Sequence, residues 1–250
     1  AREDHNQDSP NHKRGGPKIH FDLSGYDILF WDPNNLTEFK NELEKRIRRR
    51  LATLPSYVPT SSSPWDREWI SKNQDAAFAG FKRYGKSGFM EIRMTLSDGK
   101  LNVTQRELLS VAEQAQIHTF GWPLGIVGTT REYRPRPTTD GISAEILIEQ
   151  KTGYDDTGSY DYWALRKDGT VYLLTSLFED QKKPGYIFFN TRIVRITEAL
   201  LYSVRLYTSL KISTNSRVFI GIRHGGLKDR ILSDSRNKGL FSFSKYVSQE

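Results

Sequence analysis

The sequence predicts two pieces: an α/β remnant consisting of a strand and a helix, then an α+β domain. The sheet of the second piece is expected to be mixed, mostly antiparallel, and packed on a long central helix. Three observations carry this. An apolar run and then helix-spaced apolar residues fill positions 26–51 and stop at a Pro/Ser-rich stretch, 55–64. Short β-branched and aromatic runs recur between positions 89 and 232, two of them flanking Lys167-Asp168-Gly169; an Asp-Gly turn between such runs is a hairpin signal. Finally, Ile193, Ile196, Leu200, Val204, Tyr207 and Leu210 recur in steps of three and four, which keeps one side of an α-helix apolar.

Composition narrows the class. The chain has 250 residues, 36% of them hydrophobic, so it can bury a core. It has no cysteine. That excludes a disulfide scaffold, thiolate zinc and a cysteine nucleophile, and it fits a cytoplasmic protein. No uncharged apolar run reaches the roughly 18 residues of a membrane span. A net charge of +7 and a pI near 9.4 favour anionic partners. The polar start and abrupt end suggest a fragment of a longer protein whose N-terminal domain is missing.

Residues 1–18 mix charge, Pro, Gly and His without period and read as a polar arm. His5, His12 and His20 lack a carboxylate framework and read as solvated. Tyr26–Trp31 reads as a buried strand and Asp32-Pro33-Asn34-Asn35 as a turn. Leu36, Phe39, Leu43, Ile47 and Leu51 then mark an amphipathic helix. Arg46, Arg48, Arg49 and Arg50 fall in its last turns, where positive charge suits the dipole.

The segment Ile19-His20-Phe21-Asp22-Leu23-Ser24-Gly25-Tyr26, the strand after it and the helix holding Leu43-Glu44-Lys45-Arg46 resemble the tail of a bacterial α/β domain. That domain is of the nucleoside 2-deoxyribosyltransferase-like or TIR-like kind. Such domains often close with Pro-Phe-Asp-Leu, a last parallel strand and a last helix; here His20 stands where the Pro would be. The resemblance implies that residues 19–54 are the C-terminal remnant of a nucleotide-related domain. The family's catalytic acid and pocket come mainly from earlier strands, so no catalytic residue is carried over. Residues 55–64, with three prolines and four serines, read as a linker, and residues 65–250 as the α+β domain.

Within that domain, Trp65–Tyr84 reads as a helix and Phe89–Leu96 as a strand. Thr104 and Glu107 form a capping-box pattern before a helix carrying Leu108, Val111, Ala112 and Ala115. Residues 117–127 end in a short strand. The prolines of Glu132-Tyr133-Arg134-Pro135-Arg136-Pro137 exclude a central strand. Ile142–Glu149 reads as a strand, followed by the hairpin 160–166 and 170–177. The long helix comes next, with Asn190 or Thr191 as its cap and its apolar stripe in the core. Arg217–Arg223 is a further strand, His224-Gly225-Gly226 a turn, and 227–232 a segment that pairs back.

The blocks AEQAQIHTFGWPLGIV, SYDYWALRKDG, FFNTRIVRITEALL and IRHGGLKDR resemble a C-terminal region of bacterial proteins. In some of these it follows an AlbA-like (Schlafen-like) putative DNA-binding domain, in others a nucleotide-related effector domain. The resemblance implies an accessory or sensing module.

Several groups could carry chemistry. Asp140, Glu149 and Lys151 have the order of a magnesium-dependent nuclease site, although a turn and an exposed strand end use the same residues. Asp155, Asp156 and Asp161 could ligate a hard cation or simply be solvated. His118 and Trp122 bracket a Gly-Trp-Pro corner. Trp163 and Tyr162 could stack a base or belong to the core. Arg192 and Arg195 open the long helix, whose N-terminus favours an anion. Arg223, His224, Gly225, Gly226 and Lys228 could cradle a phosphate beside them. In the alternative arrangement, Glu179, Asp180 and Glu198 neutralise the arginines internally.

The expected function is a non-catalytic sensor or interaction module of a bacterial nucleotide-related effector or signalling/defence protein. It would bind an anionic ligand through Arg192, Arg195, Arg223, His224, Gly225, Gly226, Lys228 and Trp163. The alternatives are a nucleic-acid-binding domain and the Mg-dependent nuclease. No cofactor and no membrane partner is implied; a homo-oligomer is compatible with the chain.

Overall fold

The computed structural model describes residues 29, 36–52, 63–97, 101, 103–118, 123–128, 130–148 and 158–235. The chain divides into two units, 1–62 and 63–250. In the first, α1 (Leu36–Ala52) is an amphipathic helix. An Arg48–Glu44 pair at 2.7 Å lies one turn apart on it, and Leu43 and Ile47 are exposed. The polar arm and nearly all of the strand expected at 26–31 lie outside the described residues.

The second unit runs α2 (Arg67–Arg83), β1 (Phe89–Leu96), α3 (Gln105–Ala115), β2 (Arg136–Pro137), β3 (Gly141–Ile148), β4 (Ser159–Arg166) and β5 (Val171–Ser176). It continues with α4 (Glu179–Lys182), β6 (Tyr186–Phe188), α5 (Phe189–Ser209), β7 (Val218–Gly225) and β8 (Ile231–Ser233). Six strands form one sheet in the order β2-β3-β4-β5-β1-β7, antiparallel throughout. Together with the helices this is the expected α+β architecture.

Side chains alternate across each strand, so the sheet has two distinct faces. Met90, Ile92, Met94, Ile142, Ile146 and Trp163 face a core completed by α3 and α5. Tyr160, Ala164, Tyr172 and Leu174 face the other way, onto Trp69, Ile70, Ala77 and Phe81 of α2. A sheet of six strands spaced about 4.8 Å apart is wider than one helix of about 10 Å, so α2 cannot cover its whole face.

Local chemistry sets the element ends. Asp66 accepts from Trp69 N at 3.1 Å and caps α2. Thr104 N donates to Glu107 Oε2 at 2.7 Å while Glu107 N donates to Thr104 Oγ1, the capping box expected for α3. In the β4–β5 turn, Thr170 N donates to Asp168 Oδ1 at 2.9 Å and Gly169 takes φ +85°.

Three expectations need correction. Most of the α5 stripe is not core: Ile193 is 61% exposed, Ile196 37%, Leu200 48% and Val204 64%, and only its last members Tyr207 and Leu210 are buried, together with Ala199, Tyr202 and Leu206. The helix packs through one side, rotated away from Ile193, Ile196, Leu200 and Val204. Its cap is neither Asn190 nor Thr191, because the first turn has no side-chain cap and begins after Phe188. Residues 231–233 do not pair back on β7; β8 runs parallel to β6. Arg230 steers the chain there, donating to Gly226 O at 2.6 Å and to Tyr186 O at 3.3 Å.

Gly226 and Gly185 both hold positive φ, +67° and +78°. A Cβ at Gly226 would collide with the Ser87 carbonyl, whereas Gly185 faces open space. Gly185→Ala should cost about 1–2 kcal/mol for the backbone alone. Gly226→Ala should cost clearly more. Urea denaturation of the two variants checks this, and equal losses would contradict the packing at Gly226.

Candidate functional site

At the start of α5, Arg192 and Arg195 of the expected anion site are held by carboxylates of the chain itself. Glu179 is completely buried. Its Oε1 accepts from Phe188 N at 2.9 Å and its Oε2 from Arg192 Nη2 at 2.9 Å. A carboxylate at this helix end does what a bound anion would do, satisfying a free N–H and matching the dipole. Arg195 pairs with Glu198 at 2.8 Å and Arg230 with Asp180 at 2.6 Å. Three guanidinium groups thus meet three carboxylates. Burial pulls the Arg192 pKa down, and the Glu179 charge opposes that shift.

The Arg192 charge adds to burial in lowering the pKa of His224 on β7. The strand continues through Gly225, and His224 and Gly225 lie in register with Met90 and Phe89. The expected Gly-rich phosphate turn is therefore mostly strand; only Gly226 turns, at φ +67°. Arg223 Nε pairs with Glu91 Oε2 at 2.8 Å, and Arg93 pairs with the same carboxylate at 3.0 Å. Lys228 is exposed. Trp163 is 1% exposed and donates to Ile126 O at 2.7 Å, so it offers no ring face to a ligand.

Of the nuclease set, Asp140 lies in the turn before β3 and accepts from Thr138 Oγ1 at 3.2 Å. Glu149 and Lys151 lie outside the described residues, as do Asp155, Asp156 and Trp122. Asp161 is buried and accepts from Ser159 Oγ at 3.3 Å. His118 is exposed. Among the described residues no group of three or more His, Asp or Glu side chains is placed to hold a metal ion. Among them, too, no helix is long and apolar enough to cross a membrane.

A site that the sequence reading missed lies where α2 leaves the sheet uncovered. A cleft of about 290 Å³ opens between Tyr84 at the end of α2, the 132–136 segment and the exposed face of β3 and β4. Tyr84, Tyr133, Tyr162, Arg134, Arg136 and Glu132 line it, with Ser143 and Glu145 on β3. Glu145 accepts from Arg83 Nη2 at 2.7 Å and from Tyr160 OH at 3.1 Å. The Tyr162 hydroxyl donates to Asn73 Oδ1 at 2.9 Å, and burial, then the Glu145 charge, pushes its pKa up to about 12. Arg83 lies over the Tyr84 ring at 4.9 Å. The available signal was Tyr133-Arg134-Pro135-Arg136, an aromatic and basic segment whose prolines keep it at the sheet edge. Compared with known proteins, the chain matches no family model, no curated protein and no solved structure.

Two groups, buried Asp161 and half-buried His224, make stability depend on pH in opposite directions. Burial lowers the His224 pKa from 6.5 to about 4, helped by the Arg192 charge. The unfolded chain then takes up the proton first, so stability is lost as pH falls from 6.5 towards 4. Burial raises Asp161 from 3.8 to about 6. The folded chain then keeps its proton longer, so stability is lost as pH rises through that window. His224→Gln should weaken the loss on acidification, and Asp161→Asn should steepen it. Urea midpoints across this pH range test both, and unchanged slopes would contradict the assignments.

Proposed function

We propose that residues 63–235 form a non-catalytic sensor module that binds a small anionic ligand carrying a flat ring, of nucleotide type. The cleft carries this reading. Arg134 and Arg136 supply the planar donors suited to phosphate, and Tyr84, Tyr133 and Tyr162 supply aromatic surface. Its volume, about 290 Å³, is at the small end of ligand sites and suits a ring with one phosphate more than a long polymer. The membership of a bacterial nucleotide-related effector or signalling protein rests on the sequence resemblance.

The nucleic-acid reading through Arg192, Arg195, Arg223 and Lys228 has less support. The three arginines already face carboxylates of their own chain. A charge held that way releases few counterions on meeting a phosphate backbone.

Calorimetric titration of the chain with AMP and ATP tests the proposal. Arg136→Ala should weaken binding about tenfold or more, the loss of one charge-assisted contact of about 1.5–3 kcal/mol. Lys72→Ala, on the exposed side of α2, should leave it unchanged. No heat from either nucleotide at millimolar concentration would reject the reading.

A further inference from the structure

The outer side of α5 carries apolar groups that are exposed among the described residues. Phe189, Ile193, Ile196, Leu200, Leu201 and Val204 are between 37% and 64% exposed. They form two adjacent rows with a spacing of four, Phe189–Ile193–Thr197–Leu201 and Ile196–Leu200–Val204–Thr208. Such rows are the ridges that helices interlock when they pack, with a groove between them. Ile193 and Val204 are eleven residues apart, about 16 Å along the axis and close to three full turns. The stripe therefore runs almost straight along the helix.

We propose that this face is an interface between two copies of the chain, with α5 crossing antiparallel to its counterpart about a two-fold axis near Thr197 and Leu200. Three observations select a second copy as the occupant. The stripe contains no ionisable residue, so identical surfaces meet without opposing like charges. The flanking cations are already held at home, Arg195 by Glu198 at 2.8 Å and Arg205 by the Gln116 carbonyl at 2.9 Å. An acidic partner would find no cation within the stripe to select it. The area also suffices. The six side chains present on the order of 500 Å² per copy, at the upper end for an ordinary monomer patch. Two copies together bury about 1,000 Å², the threshold for a specific interface. A two-fold arrangement is also the closed form that a single self-complementary patch produces. It would set Ile193 of each copy against the partner's Val204, filling groove with ridge. The proposal is independent of the ligand cleft.

Light scattering of the 250-residue chain should give twice the single-chain mass of 28.8 kDa. Leu200→Glu should reduce it to the single-chain mass with an unchanged circular dichroism spectrum, because Leu200 is about half exposed before association. Mixing Leu200→Glu with Leu200→Lys should restore the double mass, which a folding defect would not do. The chain has no cysteine, so Thr197→Cys introduces one thiol beside the proposed axis. It should cross-link under mild oxidation far faster than Lys72→Cys. A single-chain mass for the unsubstituted protein at micromolar concentration, with some other part of the chain covering the stripe, overturns the proposal. So does a double mass that Leu200→Glu leaves intact, or equal cross-linking at the two thiols.

Discussion

The buried Glu179 carboxylate is the constraint on which the second unit depends. A charge with no solvent exposure has to be paired and hydrogen-bonded, because leaving it unpaired costs several kcal/mol. It is satisfied from two directions, by the Phe188 N–H that opens α5 and by Arg192 in its first turn. The rotation of α5 follows. With Thr191, Arg192, Glu198 and Ser203 turned inward, Ile193, Ile196, Leu200 and Val204 have to turn outward. One carboxylate thus sets where the helix begins and which side meets solvent.

Asp180, its neighbour, extends the same logic to the rest of the unit. It accepts from Gly88 N at 2.8 Å, just before β1, and pairs with Arg230, which in turn holds the carbonyls of Gly226 and Tyr186. The short helix α4 therefore links β1, β6 and the turn after β7 through side chains. Because its carboxylates occupy the positive end of α5, an external anion has nothing there to neutralise. The cleft lies on the opposite face of the sheet, where α2 leaves β3 and β4 uncovered and Arg134 and Arg136 lie among tyrosines.

What was legible in the sequence is what local chemistry decides. Thr104 with Glu107 and Asp168 with Gly169 act within a few residues of themselves, and both did in the structure what their spacing implies. The buried face of α5 was not legible, because that helix is apolar nearly all round and periodicity cannot rank its sides. The deciding groups were the polar ones, Arg192 and Glu198, which the amphipathic rule places outside. Arg192 is drawn in by Glu179, thirteen positions earlier. His224 and Gly225 read as a turn by type, yet their pairing with β1 carries the strand past them. The cleft was hidden for a related reason: residues 84, 133–136, 145 and 162 converge only after α2 and β3–β4 have packed.

The most direct test of this account is a double-mutant cycle on Glu179 and Arg192, read by urea denaturation. Glu179→Gln keeps an acceptor for Phe188 N–H while removing the charge, and Arg192→Met keeps the volume while removing the other charge. The account predicts that each single variant loses about 3–5 kcal/mol, the cost of stranding a buried charge, and that the double variant is more stable than either. Additive losses, or single variants as stable as the parent, would show that this pair does not organise the start of α5.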